Sequence, residues 1–391
     1  MRKHQVTGEI MVKATAHPFV KLIIAFSILG GVFFAALNFS SSAVDAADTD
    51  LMTSFPVNGA PTNLVVESNG RTWFTLPTQN AIGSLVVTST LDYAFHSYTA
   101  PTANGEPYDL IYDDARGAIW FTLYGSNKIG KLDIATKQIE EFAIPTADSM
   151  PTGITLDGDG NVWFSQKAGN KLGKFDPATE AFSEYQYVNE GGQPVDVQPE
   201  DVIYQPNGCG GYGSGGACIW STSPGSNRVY FLLLDTLVFD SIPTFVLNVG
   251  EVPEPWHGTL DPSGQLWVTT KEGNRMGRYA PGTLSYWRWY RVPTPSSGLT
   301  GIAANSVNGF YQFWFTESDS GKVGQMLFRP SNLTMLRMAE LSLPDAAAAS
   351  QPYGIGVDGA GDVWIADSGN QRIVKWSAPY ISARYLPLIR R

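Results

Sequence analysis

At 391 residues and a net charge of −10, the chain is long enough for a large core and too acidic to suit nucleic acid or an anionic membrane as a partner. Forty Gly and 25 Pro fit a turn-rich all-β protein rather than a helical one.

The first predicted element is a targeting segment. Arg2, Lys3, Lys13 and Lys21 precede an apolar run from Leu22 to Leu37. That run is short for a membrane span and suits a signal sequence. Val44-Asp45-Ala46 offers small residues at a cleavage site, so residues 1–46 read as a signal peptide, with an uncleaved N-terminal anchor as the alternative. Either form exports the rest of the chain to the cell surface or the medium. A membrane is involved only if the segment stays attached.

From Leu51 onward a single unit repeats seven times. Trp73, Trp120, Trp163, Trp220, Trp267, Trp314 and Trp364 recur 43 to 57 residues apart, each in the same phrase. A short apolar run following Pro or Thr leads to a Gly turn, then the Trp, then a Gly/Asn turn and a basic-apolar-Gly segment. In the third unit four strands are expected, over about 152–157, 161–166, 171–176 and 181–187. Asn69-Gly70, Asp159-Gly160 and Ser263-Gly264 supply positive-φ turns between first and second strands. Units of this period cannot bury a core alone and must stack. Seven four-stranded antiparallel units make a seven-bladed β-propeller spanning residues 51–391 as one domain and a monomer. Each Trp is expected to fill the wedge between blades, with Gly130, Gly173, Gly277 and Gly324 allowing adjacent sheets to approach. The seventh blade needs a fourth strand. Leu51 to Val57 is the favoured donor, and Ile381 to Leu388 the other candidate.

In the fourth unit, Cys209 and Cys218 flank a Gly-rich insertion. In an oxidising exterior this pair reads as a local disulfide.

The repeat also registers candidate site residues. Two positions after each blade Pro lie Asn63, Asp109, Gly153, Asp201, His257 and Gly354, with Gly301 in the unit lacking Pro. Three after each Trp lie Leu76, Leu123, Gln166, Ser223, Thr270, Glu317 and Asp367. Equivalent positions in a ring converge on its axis. Asn63, Asp109, Asp201, His257, Glu317 and Asp367 are therefore expected around one channel, with Glu200, Glu254, Tyr108, Tyr353 and Trp256 beside them. Carboxylates with Asn and His donors suit Mg²⁺ or Ca²⁺. The competing reading is that Asp and Asn at strand ends cap the backbone.

The phrases Trp120-Phe121-Thr122 with Asn127-Lys128-Ile129-Gly130-Lys131, and Trp163-Phe164-Ser165 with Asn170-Lys171-Leu172-Gly173-Lys174, resemble the repeats of the streptogramin (virginiamycin B) lyase family. The resemblance runs from about Leu51 to Trp376. It implies a seven-bladed propeller and a lyase that opens the ester-closed ring of a cyclic peptide using Mg²⁺ and a His base. That pattern places His directly after the blade Pro in two successive blades, a Glu before one of those Pro residues and a Glu three after the following Trp. Here Glu254-Pro255 keeps the first Glu, Trp256 stands at the His position and His257 follows it. Thr270 replaces the second Glu, Glu200 follows Pro199, and Glu317 matches a Glu position in another blade. On this resemblance His257 and Glu317 are the expected catalytic pair. Glu254 and Glu317 are the metal ligands it implies; the ring register adds Asp109, Asp201 and Asn63 as expected ligands, and Trp256, Tyr108 and Tyr353 as expected substrate contacts. The other readings are a non-catalytic propeller for an extracellular carbohydrate, peptide or cell-wall ligand, and a Ca²⁺-dependent lactonase-like hydrolase. The C-terminal residues from Arg384 to Arg391 resemble a tail common on exported bacterial proteins.

Overall fold

The computed structural model describes residues 51–89, 92–189, 191–209, 216–244, 253–280, 287–344 and 349–377. The expected signal segment 1–46, the C-terminal tail, most of the Gly-rich insertion and the alternative closing strand lie outside them. Seven separate four-stranded antiparallel sheets follow the chain in order. In blade 3 they are Pro151–Leu156, Val162–Gln166, Lys171–Asp176 and Ala181–Gln186, each boundary within a residue of the sequence expectation. The seventh sheet takes its outer strand from the opposite end of the chain. Met52–Pro56 pairs with Arg372–Trp376, Met52 facing Trp376 and Pro56 facing Arg372. The N-terminal segment thus closes the ring.

The seven repeat tryptophans are all at most 2% exposed. They lie in apolar clusters that straddle the blades. Trp163 packs with Val202, Ile219 and Tyr230 of blade 4, and Trp364 packs with Phe74 and Leu85 of blade 1. Burying so large a ring at every seam is what a unit without its own core requires. The turn that precedes the Trp also anchors it. Asp157 caps the Asp159-Gly160 turn by accepting the N–H groups of Asp159 and Asn161, and its other oxygen accepts Trp163 Nε1 at 2.7 Å. Glu67, Asp113, Asp261 and Asp358 hold Trp73, Trp120, Trp267 and Trp364 in the same way. Gly70, Gly160 and Gly264 have φ near +80° at these turns, as expected.

The strand glycines have a different role from the one expected. Gly173 lies opposite Phe164 of its own blade, and a Cβ there would stand 2.2 Å from that ring. Gly130 and Gly324 are crowded in the same way by Phe121 and Phe315. In these three blades the glycine makes room for the aromatic ring that follows the Trp, and in blade 5 Gly277 makes room for Trp289 on the next strand; in each case the ring belongs to the glycine's own blade, not to a neighbouring sheet. In blade 4, Cys209 and Cys218 are bonded and buried, with Cα atoms 6.1 Å apart.

Candidate functional site at the channel mouth

Most first strands begin with a break in their ladder. In blades 2, 3, 5, 6 and 7 the pairing skips two residues after the first, as between Pro255 and Gly258. Such a bulge re-aims side chains. The freed backbone is held by the hydroxyl two residues after the Trp. Thr222 Oγ1 accepts the N–H of Asp201 and donates to the carbonyl of Trp256 in the next blade at 2.6 Å. Thr75, Thr122, Ser165, Thr269 and Thr316 make the same donation to Tyr108, Thr152, Glu200, Thr300 and Tyr353. Six hydroxyls therefore set two tiers of residues at the axis.

The inner tier lines a cavity of about 410 Å³ including its open mouth, walled by Asn63, Asp109, Asp201 and His257 together with Leu64, Ile302 and Ile355. Sequence register brought these four polar residues together, and the structure does too. Their hydrogen bonds cross the seams. Asn63 Nδ2 donates to the Tyr108 carbonyl at 2.9 Å. Asp109 accepts from Leu110 N and, in blade 3, Ile154 N. Asp201 accepts from Val202 N and, in blade 5, Gly258 N at 2.9 Å. Capping is thus part of what these side chains do, and they cap the next blade as well as their own. Burial pushes both carboxyls up to about 7, against the pull of those N–H groups, with Glu200 adding repulsion at Asp109 and His257 drawing Asp201 down.

The outer tier, one residue after the blade Pro, meets across the axis. The Tyr108 hydroxyl donates to Glu200 Oε1. Lys167 Nζ donates to Glu200 Oε2 at 2.6 Å, and Glu200 is 1% exposed. Trp256 Nε1 donates to the Tyr353 hydroxyl at 3.1 Å, and the Tyr353 and Tyr108 oxygens are 3.5 Å apart. Lys271 Nζ lies 4.6 Å and Lys167 Nζ 5.6 Å from the Trp256 ring centre, within cation–π range. His257 stands edge-on to Tyr353 at 5.6 Å. Tyr124 stacks on Tyr108 at 5.9 Å. Lys167, Lys271 and Tyr124 escaped the sequence reading. They sit four residues after their Trp, one step past the position counted.

That counted position is elsewhere. Strand side chains alternate, so the residue three after the Trp faces opposite to the hydroxyl two after it. Leu76, Leu123, Gln166, Ser223, Thr270, Glu317 and Asp367 are all fully buried, and none lines the cavity. Asp367 is bonded to Arg372, Ser350 and Asn370. Glu317 accepts from Ser320 Oγ at 3.1 Å while its Oε1 has no partner. Burial, then nearby Glu340, pushes its carboxyl up to about 8. Glu254 has left-handed backbone, and burial followed by Glu272 raises its carboxyl while Lys271 lowers it. Glu254, Glu317 and His257 do not share a centre. Among the described residues no three His, Cys, Asp or Glu side chains form a metal-ligating group, so the expected set of Glu254, Glu317, Asp109, Asp201 and Asn63 is divided between the cavity and two other places.

The fold is a seven-bladed propeller with a polar and aromatic channel mouth, and known proteins of similar sequence and fold include streptogramin B lyases. Residues 33–202 match the Virginiamycin B lyase family, and residues 350–376 match the NHL repeat. A streptogramin B lyase structure is similar at 26% identity with a TM-score of 0.68, covering 83% of this chain and 96% of that one. A catalytically inactive virginiamycin B lyase from Staphylococcus aureus with quinupristin shares the fold at 22% identity and a TM-score of 0.67, covering 83% of this chain and 98% of that one. The extracellular domain of BT3049 from B. thetaiotaomicron shares it at 14% identity and 0.57, covering 84% of this chain and 42% of that one. No curated protein matches the sequence.

Proposed function

We propose that the chain is an exported ligand-binding propeller that holds a small ring-bearing molecule, such as a cyclic peptide, at the channel mouth without turning it over. The observation that carries this reading is Trp256. It stands where the lyase pattern has its His base, and an indole N–H directed at Tyr353 cannot accept a proton. At the other His position Glu200 has one oxygen engaged by Tyr108 and the other by Lys167. What remains is an aromatic surface of Trp256, Tyr108, Tyr353 and Tyr124 bordered by two ammonium groups, which is the composition of a recognition site. The solved complex of the S. aureus relative with quinupristin supports a cyclic peptide as the ligand class.

Calorimetric titration with quinupristin tests the proposal. Binding is expected to fall at least tenfold on Trp256→Ala, and incubation with Mg²⁺ is expected to leave the peptide's mass and ring intact. Ring opening by the wild-type chain overturns the non-catalytic reading. Export is tested on protein recovered from the medium, whose N-terminus is expected at Ala47. A product retaining residues 1–46 would establish an anchor instead.

A further inference from the structure

Every repeat Trp begins a row of three side chains across its blade, and these rows differ in charge. In blade 2 the row is Trp120, Lys131 and Glu140, with Lys131 and Glu140 paired at 3.3 Å. In blade 3 it is Trp163, Lys174 and Ser183, and in blade 6 Trp314, Gln325 and Ala339. In blade 7 Lys375 lies over Trp364 and pairs with Asp362 at 2.7 Å. Blade 5 departs from all of these. Its row is Trp267, Arg278 and Arg288, two guanidinium groups directly opposite each other on Arg275–Tyr279 and Trp287–Arg291.

Like charges at directly opposed positions destabilise a sheet. Here they stand without relief. Among the described residues neither arginine meets a carboxylate. Arg278 has one long contact, 3.4 Å to Gln265 Oε1, and its buried Nε has no acceptor. Arg288 is exposed. Tyr290, two residues from Arg288 on the same strand, shares its face of the sheet and stacks on Trp267 at 5.5 Å. Tyr290 itself belongs to the cluster at the seam with blade 6, where half-buried Met335 and Met338 pack against the same core. The result is an opposed arginine pair beside an aromatic ring, on a seam that two half-buried thioethers also line, in a chain whose net charge is −10.

We infer that the outer edge of the blade 5 and 6 seam is a docking site for an acidic polypeptide segment carrying apolar side chains, held by Arg278 and Arg288. Each guanidinium can donate two parallel N–H···O bonds to a carboxylate. Tyr290 beside them and the methionines along the same seam offer an adaptable apolar surface, which a bare polyphosphate would leave unused. The site is independent of the channel mouth, and a local disadvantage in the sheet is what a surface kept for a partner would show.

The test uses a fluorescently labelled peptide alternating Glu and Leu, titrated with the full chain at low and moderate salt. Saturable, salt-sensitive binding is expected, weakened at least tenfold by Arg278→Gln with Arg288→Gln. The same double variant removes the like-charge pair, so its melting temperature is expected to hold or rise. That readout separates a docking role from a structural one. Equal binding by wild type and variant, no binding at low salt, or a marked fall in melting temperature overturns the inference. So does polyphosphate binding that depends on the two arginines while the peptide fails to bind.

Discussion

Replacing Glu317 by Gln should stabilise this protein, increasingly so as pH rises. The reason lies in a node that blades 3 and 6 share. In blade 3, Glu184 accepts the N–H and hydroxyl of Thr146 and the ammonium of Lys171, and Gln166 Nε2 donates to it at 3.0 Å. Blade 6 repeats the arrangement with Glu340, Thr294 and Lys322, but Glu317 occupies the place of Gln166. A carboxylate there faces another carboxylate with one oxygen unpaired. Burial and Glu340 push its pKa to about 8, against about 4.3 in an unfolded chain. The folded state therefore binds the extra proton between these values, and stability falls as pH rises through that window. At about 1.4 kcal/mol per pH unit, the contribution lost between about pH 4.3 and pH 7 is about 4 kcal/mol. Gln carries no charge and supplies the missing donor. Glu317→Gln is thus expected to gain about 2 to 4 kcal/mol at pH 7, a rise of several degrees in melting temperature for a chain this size. The gain should be near zero at about pH 4.5 and level off above about pH 8. Asp109 and Asp201 titrate in both proteins, so the difference between the two melting curves isolates Glu317. A gain independent of pH, or a loss at pH 7, refutes the reasoning.

Thr222→Val removes the hydroxyl that joins Asp201 N to the Trp256 carbonyl across a seam. It is expected to cost about 1 to 3 kcal/mol and to weaken ligand binding at Trp256, measured by denaturant melts and calorimetry; unchanged binding would show that the bridge does not position Trp256. Gly173→Ala drives a Cβ against the Phe164 ring and is expected to cost about 1 to 3 kcal/mol, partly recovered in the double variant with Phe164→Leu. An additive double variant would place the strain elsewhere. Millimolar Mg²⁺ or Ca²⁺ is expected to move the melting temperature by less than about 1 °C, because each oxygen of Asp109 and Asp201 already accepts an N–H group. A rise of several degrees would restore the axial cavity as a cation site.

The architecture was legible because it depends on large, repeated and irreplaceable residues. Trp spacing, Asp-Gly turns and an N-terminal strand phrase sufficed for seven blades and for the closing strand. The inner tier was legible for the same reason, since two residues past the blade Pro is a backbone-fixed distance. Counting failed at Glu317. Three residues past the Trp reaches the correct end of the strand but the wrong face, and strand parity decides which face meets the axis. It failed differently at Lys167 and Lys271, whose long side chains reach Trp256 from turns that no strand pattern marks. The arginine row in blade 5 needed a register, since Arg278 and Arg288 are neighbours only across a ladder.

The pairing of Met52–Pro56 with Arg372–Trp376 also sets an order of events. The first strand of the propeller to be synthesised has no partner until the last one exists. Six blades can assemble from neighbouring sequence, whereas the seventh joins segments nearly a full chain length apart, the kind of contact that forms late. Until then one edge strand stands with its N–H and C=O groups open. A chain stopped anywhere before Arg372 would be left with that edge permanently exposed, so completion of synthesis and closure of the ring are a single checkpoint.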